Sequence, residues 1–134
     1  VAIVAAAETV NFNMPATLEA AVLCKMADRG QIVGGTLDGP LALDNAISVE
    51  AARIKGIESK VAGLADILVV PDIETGNVLF KALAYLNASE SAGIVVGARV
   101  PIMLTSRADS AHARLASAAL AVLMNVEQKS RLGQ

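Results

Sequence analysis

Tryptophan is absent from this 134-residue chain, which has only one tyrosine and two phenylalanines. With so few rings, a nucleic-acid platform that stacks bases on several aromatics is excluded. An excess of positive charge is missing too. Eleven Lys and Arg stand against 13 Asp and Glu, a net charge of -2, so no broad positive field holds DNA or RNA. No nucleic-acid partner is therefore expected, and an anionic ligand must be held by a few placed groups. His112 is the only histidine, which excludes a multi-histidine metal cluster or a His–His relay. Cys24 is the only cysteine; it rules out an internal disulfide and leads to the expectation of a reducing cytoplasm. Long hydrophobic runs are also lacking. Charged residues interrupt each apolar stretch before it reaches the ~20 residues that cross a bilayer, and the uncharged stretch Leu115 to Val126 is too short. No membrane partner is expected. Val1-Ala2-Ile3-Val4 has no basic flank and Glu8 follows soon after, unlike a signal peptide.

What is present is aliphatic. Hydrophobic residues make up 54% and charged residues 18%, the opposite of a disordered composition. The length suits one domain with a real core. There is no initiator Met and the chain starts in an apolar run, so a fragment of a longer protein is expected.

Apolar runs alternate with helical patterns. Val1 to Ala6 reads as a strand buried on both faces. Pro15 suits a helix start, Ala16 to Arg29 a helix, and Gly30 its left-handed stop. Gln31 to Leu37 reads as a second strand, ended by an Asp38-Gly39-Pro40 turn. Leu41 to Lys55 is helical, divided at Ser48 if that residue is a second helix start, and Gly56 stops it. Ile67 to Val70 is a strand and Thr75 to Leu86 a helix with Leu79, Leu83 and Leu86 on one face. Gly93 to Val96 and Pro101 to Leu104 are short strands. Asp109 or Ser110 then caps a long helix to about Gln128. The pattern is β-α-β-α-β-α-β-β-α. It implies an α/β fold in three layers, with a mostly parallel sheet flanked by helices. A subdomain boundary is expected near residues 87–92, where Ser and Ala gather.

In such sheets ligands bind beyond the carboxyl ends of strands. Three polar segments fall there: Asp38-Gly39-Pro40 after Leu37, and one each after Val70 and Leu104. In Thr105-Ser106-Arg107-Ala108-Asp109-Ser110, a hydroxyl, a guanidinium and a helix N-terminus converge, and each suits phosphate. The plainer reading is a capped turn, and capped turns far outnumber active sites. In Pro71-Asp72-Ile73-Glu74-Thr75-Gly76-Asn77, two carboxylates can hold Mg²⁺ or simply partner the helix dipole. Gly76 allows close backbone approach to a ligand. Without a larger acidic cluster the helix-start reading is favoured, and no metal site is assigned. Cys24 reads as core. Gly34-Gly35-Thr36-Leu37-Asp38-Gly39 lacks the Gly-Lys-Ser/Thr end of a phosphate-binding loop, and no G-x-G-x-x-G follows a strand.

Taken in order, Asp38-Gly39-Pro40-Leu41, Ser59-Lys60-Val61-Ala62-Gly63, Asp66 through Asp72, Gly76-Asn77 and Thr105-Ser106-Arg107 resemble the phosphate acetyl/butyryl transferase family. The resemblance covers nearly the whole chain, as the C-terminal part of a longer enzyme. It implies a two-domain α/β fold like that of isocitrate and isopropylmalate dehydrogenases, and a homodimer. It implies acyl transfer between coenzyme A and phosphate: acyl-CoA or acyl phosphate binds with phosphate or coenzyme A as co-substrate. No cofactor or metal is implied, since coenzyme A is a substrate. Ser106 and Arg107 match the family's Ser-Arg pair and become the expected catalytic residues. Asp72, Gly76, Asn77 and Thr105 become expected substrate-binding residues. The acetyltransferase branch carries an Asp seven residues after this Ser, proposed as the base for the thiol proton; here the position is Ala113. Asp109 is the nearest acid, either a base or a cap. The string Thr-Ser-Arg-Ala-Asp-Ser is closer to the butyryltransferase-like branch, and the family's further phosphate-binding arginines lie upstream. The fragment alone is accordingly expected to be inactive. The alternatives are an oxidoreductase of the same fold, which needs an acidic metal cluster, and a non-catalytic scaffold whose Ser-Arg turn is only a cap.

Overall fold

The computed structural model describes residues 1–131, without the side chain of Arg131. The chain divides into two compact units, Val1–Val78 and Leu79–Gln134.

The first unit is built on a parallel sheet of three strands, β1 (Ala2–Val4), β2 (Asp38–Leu41) and β3 (Leu68–Val69), in the order β2-β1-β3. Ala2 faces Asp38 on one side and Leu68 on the other. All three residues of β1 are buried. Successive strand residues point to opposite faces, so burial at consecutive positions means that both faces are covered. This is why the first residues form an unbroken apolar run.

Helix α1 (Pro15–Asp28) packs on β2 and β1. Pro15 stands in its first turn, where its missing N–H costs nothing. At the other end Gly30 has φ +71°, and the N–H groups of Gly30 and Gln31 donate to the carbonyls of Ala27 and Met26. These two bonds form a Schellman stop. The expected Leu41–Lys55 helix is two helices, α2 (Leu43–Ile47) and α3 (Val49–Ile54). Ser48 divides them, its hydroxyl accepting the Ala51 N–H at 3.2 Å. Ala2, Leu41, Ala46, Ala52, Val61 and Ala62 form the core beneath these helices.

The second strand differs from expectation. Gln31 to Leu37 is irregular, and β2 is the Asp38–Leu41 segment that reads as a turn. Gly34 takes φ +97°, which breaks an extended run before it starts. Gly39 is required by packing. A Cβ there would lie 2.7 Å from the Ile3 carbonyl oxygen and 2.8 Å from Ile3 Cβ, so only glycine lets β2 close against β1. Pro40 is tolerated because β2 is an edge strand.

Helix α4 (Ile73–Leu86) follows β3. It has the expected period, yet none of its residues is buried, and Leu86 is 87% exposed. In the second unit β4 (Ile94–Val95) and β5 (Ile102–Met103) pair antiparallel, apart from the parallel sheet. Helix α5 (Ala111–Arg131) packs against both. Ser117 is buried at this contact; it accepts the Gly93 N–H at 3.0 Å and donates to the Ala113 carbonyl at 2.7 Å. No described helix is long and apolar enough to cross a membrane.

Candidate active site

The sheet order decides where the first unit offers a site. The chain leaves β1 for β2 on one side, then crosses back to β3 on the other. That reversal opens a crevice beyond the carboxyl ends of β1 and β3. An open crevice of about 470 Å³ lies there. Val4, Ala5 and Ala6 from the end of β1 line it, with Pro71 after β3. The first residues of α1 (Pro15 and Ala16, with Met14 before them), Leu43 of α2, and Asp72 and Thr75 complete the wall. The wall is apolar except for Asp72 and Thr75. Three helices thus begin at the crevice, and two of them, α2 and α4, carry an acidic residue in the first turn, Asp44 and Glu74. Helix α1 begins without a side-chain cap or an acidic residue in its first turn.

Asp72 stands just before α4. Its carboxylate accepts the Thr75 N–H at 2.7 Å, the bond of an N-cap. Bonds from the Thr75 hydroxyl and N–H hold this carboxyl below its ordinary range. Of the residues expected to bind substrate in this unit, Asp72 lines the crevice. Gly76 does not, and its lack of a side chain answers to Val70: a Cβ would meet Val70 Cγ2 at 3.1 Å. Asn77 is exposed on α4. The crevice residues Ala5, Ala6, Met14, Pro15 and Leu43 carry no chemical signature in the sequence. Nothing in the sequence singles out the end of β1.

In the second unit, residues 105–110 form a tight turn between β5 and α5. The Ser106 N–H donates to the Asp109 carboxylate at 2.6 Å, and the Asp109 N–H returns to the Ser106 carbonyl at 3.2 Å. Asp109 is therefore not the helix cap. That role belongs to Ser110, whose hydroxyl accepts the Ala113 N–H at 3.1 Å. The difference follows from position. Ser110 directly precedes α5 and reaches the N–H three residues on, whereas Asp109 is one residue too early and turns back. Arg114, which no sequence pattern singled out, donates from Nη2 to the Arg107 carbonyl at 3.0 Å. The backbone on both sides of the Ser106–Arg107 peptide is thus held by a charged side chain. The Ser106 hydroxyl accepts a long bond from the Ala108 N–H, 3.4 Å. Its hydrogen and the exposed Arg107 guanidinium take no part in these bonds. Thr105 is half-buried beside them. His112 pairs with Glu90 at 3.4 Å on the surface. Among the described residues no group of three or more His, Cys, Asp or Glu is placed to hold a metal.

The family model described as phosphate acetyl/butaryl transferase matches residues 1–122. The chain belongs to this family.

Acetyltransferase and butyryltransferase relatives each match more than nine-tenths of the chain. A phosphate acetyltransferase of Rhizobium meliloti is 62% identical over 130 residues, covering 97% of this chain and 41% of that protein. A phosphate butyryltransferase of Clostridium acetobutylicum is 55% identical over 124 residues, covering 92% of this chain and 41% of that protein. A solved structure, a branched-chain phosphotransacylase from Enterococcus faecalis V583, superposes with a TM-score of 0.79 at 39% identity. That match covers 90% of this chain and 43% of the solved one. The chain thus spans about 40% of the length of these family members.

Proposed function

We propose that this chain forms part of a cytoplasmic, homodimeric enzyme that moves an acetyl or butyryl group between coenzyme A and phosphate. The observation that carries the proposal is the Ser106–Arg107 turn, braced by Asp109 and Arg114, with the Arg107 side chain exposed. In the acyl phosphate direction, the coenzyme A thiolate attacks the acyl carbonyl carbon. The carbon–sulfur bond forms, the carbon–oxygen bond to phosphate breaks, and phosphate leaves with the electron pair. Negative charge grows on the carbonyl oxygen and then on the departing phosphate. Preorganised donors at those oxygens stabilise the transition state more than the ground state. Arg107 supplies a planar two-pronged donor for phosphate, and Ser106 a hydroxyl. Asp109 is committed to the Ser106 N–H, so it shapes the turn. The thiol proton passes to water or to a group elsewhere in the enzyme. Within the first unit, the switch-point crevice offers an apolar binding wall of its own, with Asp72 at its edge.

The test is Arg107→Lys in the full-length enzyme. Lysine keeps the charge and loses the fork. An interaction made mainly in the transition state lowers kcat and kcat/KM together, here by roughly 10²-fold. A normal kcat would make the turn a structural cap and remove the basis for the proposal. Coenzyme A titrated calorimetrically into the same enzyme separates a transferase from a scaffold, which would give no heat.

A further inference from the structure

The loop from Ala5 to Met14 joins β1 to α1, and both of its ends line the crevice: Ala5 and Ala6 at one end, Met14 at the other. It has no regular structure of its own to set its course. Two anchors do so. Near α1, the buried Thr17 hydroxyl accepts the Asn11 N–H at 2.9 Å, and Asn11 Oδ1 accepts the Asn13 N–H at 2.9 Å. The other anchor reaches across the fold. Glu8 Oε2 lies 3.5 Å from Lys55 Nζ, at the end of α3, and 3.5 Å from Asn45 Nδ2, on α2. Lys55 is itself held by Asp44 at 3.0 Å.

Asn45 makes this second anchor informative. Its side chain is fully buried, and its Oδ1 has no hydrogen-bond partner among the described residues. An orphaned buried oxygen is costly, and an apolar side chain of similar size would avoid it. What the amide supplies in return is its NH₂ group, turned to Glu8. Its backbone is separately engaged, the N–H with Asp44 and the carbonyl with the Gly63 N–H at 2.8 Å.

We propose that Glu8, gripped by Lys55 and Asn45, is a positioning residue that sets the Ala5–Met14 loop along the crevice wall and so tunes substrate binding there. The grip is made of two long contacts, and the Lys55 and Glu8 side chains are each 32% exposed. A grip of this kind guides a loop without contributing much to global stability. The kinetic consequence rests on the acyltransferase reading; the loop's order does not.

The experiment compares full-length wild-type enzyme with Glu8→Ala, Glu8→Gln and Lys55→Met by amide hydrogen exchange, melting temperature and steady-state kinetics. Exchange in the loop is expected to quicken by about fivefold in Glu8→Ala and Lys55→Met, the scale of one partly exposed charged contact. The KM for coenzyme A or for acyl phosphate should rise by a similar factor, with kcat within about twofold of wild type. Glu8→Gln keeps an acceptor for the Asn45 amide and should fall between, even if Glu8→Ala folds poorly. Unchanged loop exchange overturns the proposal. So does faster exchange with both KM values unchanged in an active enzyme, or a raised KM without faster exchange, which would make Glu8 a direct ligand. A wild-type enzyme with no acyl transfer sinks the functional reading instead, and loop exchange then decides the grip by itself.

Discussion

Asp109→Asn separates two jobs for the acid nearest the Ser-Arg pair. In the structure its carboxylate accepts the Ser106 N–H at 2.6 Å, and Ser110 caps the helix in its place. Asparagine keeps an acceptor oxygen and loses the charge. A hydrogen bond to a charged acceptor contributes about 1.5–3 kcal/mol and a neutral one about 0.5–1.5 kcal/mol. Asp109 is half-buried, so the lower end of that difference applies, about 1 kcal/mol. If this weighting acts on the turn proposed to present Ser106 and Arg107 to the substrate, kcat falls by about fivefold. The helix cap is untouched, so the melting temperature of the full-length enzyme should move by about 2 °C or less. A general base is another matter: removing one costs roughly 10²–10⁴-fold. The assay follows coenzyme A consumption at saturating acyl phosphate, with a melting curve on the same sample. A kcat loss beyond 100-fold at an unchanged melting temperature would refute the bracing role and make Asp109 the group that takes the thiol proton.

Two further outcomes probe the first unit. Gly39→Ala should destabilise by about 2–3 kcal/mol, the cost of overpacking, because its Cβ would sit 2.7 Å from the Ile3 carbonyl oxygen. Gly35→Ala is the control: its Cβ would meet only Val1 Cγ2 at 3.4 Å, so equal denaturation midpoints for the two variants would overturn the close-approach argument. In acid, Asp72 and Asp44 should both lose stabilising power. The Thr75 hydroxyl and N–H lower the first carboxyl, and Lys55 with the Asn45 N–H lowers the second, each below the ordinary 3.8. The unfolded chain then binds protons more readily than the folded one, so this stability is present above pH 3.8 and drains as pH falls through the lower folded values. The melting-temperature gap between wild type and Asp72→Asn/Asp44→Asn should therefore narrow from about pH 6 to pH 3, and a constant gap would contradict it.

Much of the fold was legible because its causes are local. The unbroken run from Val1 announces a strand covered on both faces. Pro15 and Gly30 bracket α1 through backbone geometry each carries with it, and Ser48 divides α2 from α3 by a bond reaching only three residues. The ordered strings from Asp38 to Arg107 carry the family. Distance along the chain decided the rest. Asp38-Gly39-Pro40 has turn chemistry, yet it is a strand because Ile3, far away in sequence, presses against Gly39 and leaves room for nothing larger. The crevice exists because β1 lies between β2 and β3, an order no local pattern encodes. Whether Asp109 or Ser110 capped α5 turned on one residue of register, finer than composition resolves. Glu8 finds its partners 37 and 47 residues away, so only packing could bring that carboxylate to Asn45 and Lys55. Local torsions and caps write the elements into the sequence, whereas burial and strand order act between residues that meet only once the chain has folded.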